Sequence, residues 1–444
     1  MKEYGLVLSG GGTKGAFEIG VWKALIEQKI PISCVIGTSI GAVNAALIAQ
    51  NDFDMAYQSW NNLEINQVLN LNTSMAQKYV QQWSGISFDS FRLSFLNDLF
   101  RGDLDITPLR HFLARAIDED KIRRSPIKLG LVTVELDTLK PVQLMIDDIP
   151  KGKLLDYLLA SSALPVFQKQ EIDGKTYLDG GFYDNLPINF MVESGYTDII
   201  AVEFPAMGFK QKVKGKNLDI TVVTNSEYLG MTLQFDQETI QNNITMGYLD
   251  CLRTFGCVKG KIFYINPDDA HMFYDKLTDF IGRPLADPNA RSEIATLLGI
   301  PEDATQYTTI EAIQRMVKRT TYNKTKNTML SLLEMTGKCV NVPRMKIYSP
   351  DHFILEILTS LETLTRSNLA FIKNDETIQK ALSEDTDDKP TTLLDFLSFY
   401  VLFVGSKTEL PIGILQHLKN KFTPEYTLGM MMLIYIHQVI NDGK

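Results

Sequence analysis

The sequence predicts an α/β domain with a mostly parallel central sheet, followed by a mainly α-helical region. Three observations predict it. Short β-like runs alternate with helix-length segments from Met1 to about Phe204, glycine-rich turns fall where several of those runs end, and the β signal fades after "KGKIFYINPDD" (259–269). The expected division is 1–268 for the α/β domain and 269–444 for the helical region.

In chain order, "YGLVL" (4–8) reads as a first strand, broken by the glycines of "SGGGTKG" (9–15) before a helix that begins near Ala16. "ISCVIG" (32–37) is a second strand, "GTSIG" (37–41) a turn, and "AVNAALIAQ" (42–50) a helix. In "TPLRHFLARAI" (107–117) Leu109, Phe112, Leu113, Ala116 and Ile117 form an apolar stripe, leaving His111 with Arg110 and Arg115 on the polar side. "IKLGLVTVEL" (127–136) and "DIIAVEF" (198–204) are further strands, and "YLDGGFYDNLP" (177–187) sets Asp179 at the end of a short one. The lysines of "FPAMGFKQKVKGKNLD" (204–219) read as a solvated loop ahead of the strand-like "ITVV" and a long helix-like segment reaching Gly256.

Beyond residue 269, Ile310, Ile313 and Val317, then Ile354, Ile357, Leu358, Leu361 and Leu364, recur at helical spacing. The acidic "SEDTDDKP" (383–390) reads as a loop between helices. "LLDFLSFYVLFVG" (393–405) and "LGMMMLIYIHQVI" (428–440) are apolar nearly all round but too short to span a bilayer, so burial is expected.

Composition narrows the partners. With 444 residues, 45% hydrophobic and 22% charged, the chain can bury a large core. A formal charge of −9 argues against nucleic acid and leaves any peripheral membrane contact to a local surface. Cys34, Cys251, Cys257 and Cys339 lack CxxC spacing, which suits a reducing, cytoplasmic compartment and gives no zinc site. A strand that starts at Tyr4 leaves no room for a secretory signal, and no apolar run reaches transmembrane length.

The glycine loop has two chemical readings, a bound phosphate or a developing oxyanion. Gly10, Gly12 and Gly15 satisfy GxGxxG after a strand and before a helix, which admits a nucleotide-binding enzyme. That fold wants an acid about twenty residues on, and "CVIGTSIG" supplies none. The Walker pattern fails because Lys14 is followed by Gly15. The same strand end is instead GxSxG in the strand, turn and helix context of a nucleophile elbow, with Gly37 and Gly41 small at the crossing and Ser39 raised at its tip. A turn with a capping serine is the plainer alternative. No histidine partner is evident, since His271, His352, His417 and His437 lie in the helical half and His111 on a polar helix face. The carboxylate of Asp179, followed by Gly180 and Gly181, is the remaining base candidate.

With "SGGGTKG", "GTSIG", "ASSALP" (160–165) and "DGGFYDNLP" (179–187) in this order, the sequence resembles the patatin-like phospholipase family of acyl hydrolases. "NNITMGYLDCLRTFGCVKGKIFYI" (242–265) resembles the end of the catalytic region in some bacterial members, so the likeness covers about residues 4 to 265. The resemblance implies a three-layer α/β fold with a Ser39–Asp179 dyad acting on acyl esters of phospholipids, lysophospholipids or neutral lipids, with no cofactor and no metal. It implies an oxyanion loop of Gly10, Gly11 and Gly12, with Lys14 supporting it or a head group. A catalytically idle scaffold whose helical half binds a partner stays open at this point, as do the oligomeric state and the role of 269–444.

Overall fold

The computed structural model describes residues 3–70, 104–266, 288–322, 327–368, 393, 396–398, 400–401 and 423–442. The chain divides into two compact units, Met1–Phe255 and Gly256–Lys444.

In the first unit the strands are β1 (Tyr4–Leu8), β2 (Ile32–Thr38), β3 (Lys128–Glu135), β4 (Lys140–Met145), β5 (Gln170–Ile172), β6 (Lys175–Asp179), β7 (Asp198–Glu203) and β8 (Asp219–Thr224). The described helices of eight residues or more are α1 (Ala16–Glu27), α2 (Ile40–Ala49), α3 (Phe53–Asn61), α4 (Thr107–Ala116), α5 (Leu154–Ser161) and α6 (Gln237–Thr254). The strands form one sheet in the order β5-β6-β3-β2-β1-β7-β8, with β4 also paired to β3. The run from β3 to β8 is parallel, whereas β4, β5 and β6 pair antiparallel.

Parallel strands are covered on both faces, so they carry continuous apolar runs rather than alternation. Leu6, Val7, Leu8, Val35 and Ile36 are fully buried, each contributing about 1.5–3 kcal/mol over exposure. Val7, Ile36, Val132, Ile199 and Ala201 form one cluster with Ile188, Phe190 and Met191 of a short helix, Ile188–Glu193. The strands expected from sequence are present. The antiparallel β4 was not foreseen; its Pro141 is accommodated because β4 is an outer strand paired to β3 alone.

One seam in this sheet positions the site. Gly130–Val132 pair with β2 on one side and β4 on the other. From Thr133 onward β4 continues, but the opposite edge is taken over by β6, with Thr133 facing Asp179. Strand β2 therefore ends at Thr38, opposite Val132, where β6 delivers Asp179 opposite the next residue. The residue that follows Thr38 is Ser39.

The second unit holds α7 (Pro288–Leu298), α8 (Gln306–Lys318), α9 (Thr328–Cys339), α10 (Pro350–Ser367) and α11 (Pro424–Asp442), with a small parallel pair of β9 (Tyr264–Ile265) and β10 (Ile347–Tyr348). Side-chain caps start three of these helices: Thr305, Asn327 and Ser349 accept from the backbone N–H groups of Thr308, Leu330 and His352. Residues 256–265 group with this unit. The buried carboxylate of Glu334 on α9 accepts from the N–H groups of Lys261, Ile262 and Phe263, each at 2.8 Å, fixing the approach to β9.

On α10, Ile357 and Leu361 are buried and Ile354, Leu358 and Leu364 pack against the core. On α8, Ile313 and Val317 are buried, but Ile310 stands 36% exposed at the shoulder of the stripe. Leu428, Met430 to Leu433, Tyr435 and Ile436 are buried, as their all-round apolar pattern leads one to expect. The companion segment 393–405 is described in part, with Phe396 and Leu397 buried, and 383–390 lies outside the described residues. Among the described residues no helix is long and apolar enough to cross a membrane.

Candidate active site

Ser39 occupies the junction of β2 and α2 at φ 57° and ψ −128°, a strained conformation that costs a non-glycine residue about 1–3 kcal/mol. Surrounding bonds hold it there. Its N–H donates to Ser161 Oγ at 3.0 Å, whose own hydroxyl donates to Val132 O at 2.7 Å, and Thr38 Oγ1 donates to Asp184 O at 2.8 Å. The turn is possible only because its flanks are bare. A Cβ at Gly37 would lie 2.1 Å from Gly41 O, and one at Gly41 would lie 2.7 Å from Leu8 O.

The strain aims the hydroxyl across the seam. Ser39 Oγ donates to Asp179 Oδ2 at 2.6 Å, and Asp179 Oδ1 accepts from Gly181 N at 2.8 Å. Asp179 is held from behind by its own N–H, which donates to Ala163 O at 2.9 Å. Gly180 must be bare too, since its Cβ would meet Val132 O at 2.2 Å. Burial pushes the Asp179 carboxyl from its ordinary 3.8 up to about 6, while the hydrogen bonds from Ser39 and Gly181 pull it the other way. At neutral pH it is ionised yet basic enough to take a proton from the hydroxyl it already touches.

Because the clashing atoms at Gly37 and Gly180 are backbone, neither can swing aside. Gly37→Ala and Gly180→Ala are each expected to cost about 3 kcal/mol or more. Thermal melts check this, and a variant of either kind melting within a degree of wild type would contradict the close approach.

The glycine loop divides its labour. Gly10 N donates to Asn185 O at 3.2 Å, and Gly10 O accepts from Asn185 Nδ2 at 3.1 Å, so its amide is already engaged. This departs from the expectation that Gly10 would offer its N–H to an oxyanion. Its bareness instead admits Asn185 and Ser39, whose atoms a Cβ would meet at 2.4 and 2.9 Å. Gly11 and Gly12 line the same cavity as Ser39, and their N–H groups donate to no group among the described residues. Gly12 takes φ 62°, and Thr13 N donates to Thr232 O at 2.9 Å, closing the loop. Gly15 lets α1 approach Ile40 and Asn44 of α2. Lys14 Nζ donates to Pro205 O at 2.8 Å, tying the loop to the segment after β7; partial burial lowers its pKa.

The cavity at Ser39 encloses about 1030 Å³ with its mouth included, and its walls are mainly apolar. Leu109, Phe112, Leu113 and Ala116, the stripe expected on α4, supply one wall, while His111 is exposed. Trp60 supplies another, fixed by its Nε1–H donating to Asn44 Oδ1 at 2.9 Å. Asn44 in turn donates to Glu18 Oε2 at 2.7 Å and Gly15 O at 2.9 Å; burial holds the Glu18 carboxyl well above the usual range. Ser161 and Asn185 lie within "ASSALP" and "DGGFYDNLP", but nothing in those segments assigned them these duties, and Asn44 and Trp60 carry no sequence signal beyond being a polar and an aromatic residue in their runs. Among the described residues no cluster of His, Cys, Asp and Glu could hold a metal ion.

A family model described as patatin-like phospholipase matches residues 6–192, which contain Ser39, Asp179 and the glycine loop. The neuropathy target esterase sws of Drosophila melanogaster is 30% identical over 211 residues, 45% of this chain and 13% of that protein. Lysophospholipase nte1 of Aspergillus terreus is 27% identical over 206 residues, 46% of this chain and 12% of that one. The matched part thus spans about one eighth of the length of these relatives. A solved structure, VipD from Legionella pneumophila, aligns over 92% of this chain and 92% of that one at 14% identity, with a TM-score of 0.39. By this match and these relatives, residues 6–192 form a patatin-like phospholipase domain.

Proposed function

We propose that this protein is a lipid acyl hydrolase that cleaves carboxylic esters of phospholipids, lysophospholipids or neutral lipids through an acyl-enzyme on Ser39. The observation that carries the reading is the 2.6 Å hydrogen bond from Ser39 Oγ to the buried Asp179 carboxylate at the head of an apolar cavity. Ser39 Oγ attacks the ester carbonyl as its proton passes to Asp179 Oδ2. That proton then goes to the leaving alcohol, and water, deprotonated by the same carboxylate, releases the fatty acid.

The N–H groups of Gly11 and Gly12 are the donors available for the tetrahedral oxyanion, and the N-terminus of α2 adds its dipole beside Ser39. Leu, Phe and Trp walls suit an acyl chain and offer nothing to a dinucleotide's phosphates, which sets the nucleotide-binding alternative aside. The names of the relatives, an esterase and a lysophospholipase, agree with this class of substrate. Cysteines without metal-type spacing agree with a cytoplasmic setting.

A fluorophosphonate probe is expected to label Ser39 and abolish ester hydrolysis, with the site mapped by peptide mass spectrometry. Labelling at a different serine, with hydrolysis lost in step, would remove Ser39 from the mechanism. A panel of lipid classes run with the wild type then ranks the substrates.

A further inference from the structure

The segment after β7 is pinned along its backbone and bare along its side chains. Phe209 N donates to Gly181 O at 2.8 Å, and Phe209 O accepts from Asn185 N at 2.6 Å. Gln211 Nε2 donates to Tyr183 O at 2.9 Å. Asn189 clamps the next turn, its Nδ2 donating to Lys212 O at 3.0 Å and its Oδ1 accepting from Lys214 N at 2.8 Å. With the bond from Lys14 to Pro205, these ties run directly to the residues that follow Asp179 and to the glycine loop. Met207 of the same segment lines the cavity.

Out of this fixed backbone Phe209 stands 65% exposed and Val213 42%. Lys210, Lys212, Lys214 and Lys216 are exposed as well, with no acidic residue between Pro205 and Lys216. Lys210 pairs with Glu203 at 2.5 Å; Lys212, Lys214 and Lys216 make no ion pair among the described residues. A solvated face would account for the lysines. It does not account for a phenylalanine and a valine held in water on a clamped loop, nor for a run of four lysines without an acid in a chain of net charge −9. Basic side chains with apolar tips between them match a surface of anionic head groups over acyl chains.

We propose that residues 205–216 are an interfacial docking loop that seats the cavity of the first unit on an anionic lipid bilayer, its lysines on the head groups and Phe209 and Val213 between them. The inference rests on the acyl-hydrolase reading, which gives the cavity a reason to meet a bilayer. Lys212, Lys214 and Lys216 together are expected to strengthen binding about 10²-fold, and Phe209 about tenfold.

The test is sedimentation of the full chain with vesicles of phosphatidylcholine alone or mixed with phosphatidylserine. Wild type is expected to bind the mixed vesicles, less tightly as salt rises, and to leave phosphatidylcholine vesicles unbound. Lys212→Glu/Lys214→Glu/Lys216→Glu is expected to lose that binding while hydrolysing a dispersed short-chain ester at the wild-type rate. If charge reversal disturbs folding by circular dichroism, Lys212→Gln/Lys214→Gln/Lys216→Gln takes its place and must still lose most of the affinity. Phe209→Ser is expected to bind more weakly at unchanged salt dependence. Ser39→Ala binds like wild type, so binding is read without turnover and a failure of the hydrolase reading shows separately, as absent ester hydrolysis. No binding of wild type to mixed vesicles, or equal binding by a folded lysine variant, overturns the docking loop.

Discussion

Ser39→Ala is expected to lower kcat for ester hydrolysis by about 10⁴- to 10⁶-fold, the range seen when a serine nucleophile is removed from a site whose other parts stay in place. The fold should tolerate the change, because alanine inherits the same strained backbone and the bonds that hold it use the Ser39 N–H and Thr38 rather than the lost hydroxyl. The one partner left wanting is Asp179 Oδ2. Without the Ser39 bond that pulls its pKa down, burial acts less opposed and the carboxyl becomes harder to ionise. Steady-state hydrolysis of a chromogenic ester checks the rate. Ser162 is the informative control: it lines the cavity, and its buried Oγ has no hydrogen-bond partner among the described residues. If Ser39→Ala kept more than a small fraction of the rate and Ser162→Ala lost it, the nucleophile would be Ser162.

The parts of this molecule that were legible in the sequence are those whose cause is local. A parallel strand must be apolar throughout, so "GLVL", "CVI" and "IIAV" announce themselves; a strand-to-helix crossing with no space for a Cβ needs glycine, so "GTSIG" and "DGG" do too. What was not legible depends on partners far along the chain. Ser161 supports Ser39 across 122 positions, and Asn185 occupies Gly10 across 175. No spacing rule says which of several serines or asparagines will be there. The helix of Leu109, Phe112 and Leu113 shows another limit. Periodicity reveals which face is apolar, not whether protein atoms or an empty cavity lie against it. In the same way "FKQKVKGK" reads as a wet loop until the backbone bonds that pin it are seen.

Asp179→Asn is expected to separate catalysis from stability in one variant. Asparagine keeps the shape but has no lone pair basic enough for the Ser39 proton, so turnover should fall about 10²-fold or more. The wild-type kcat/KM should rise with pH through an apparent pKa of about 6 as the carboxyl ionises, and the residual rate of the variant should lack that rise. Stability moves the opposite way. The folded pKa of about 6 lies above the ordinary 3.8, so the folded state holds this proton more tightly than the unfolded state. The contribution is therefore complete below 3.8 and is lost as pH rises through about 6, where ionising the buried carboxyl costs about 3 kcal/mol in all. Asparagine cannot ionise, and any mismatch of its amide with Gly181 N–H is the same at every pH. From pH 4.5 to pH 7.5, the stability of Asp179→Asn relative to wild type should thus rise by about 2 kcal/mol, several degrees in Tm, whatever the offset between them. Melts of both proteins across that range decide it. A difference, variant minus wild type, that stays constant or falls would mean that Asp179 is not a strained, desolvated carboxylate, and near-wild-type turnover would mean that some other group takes the proton from Ser39.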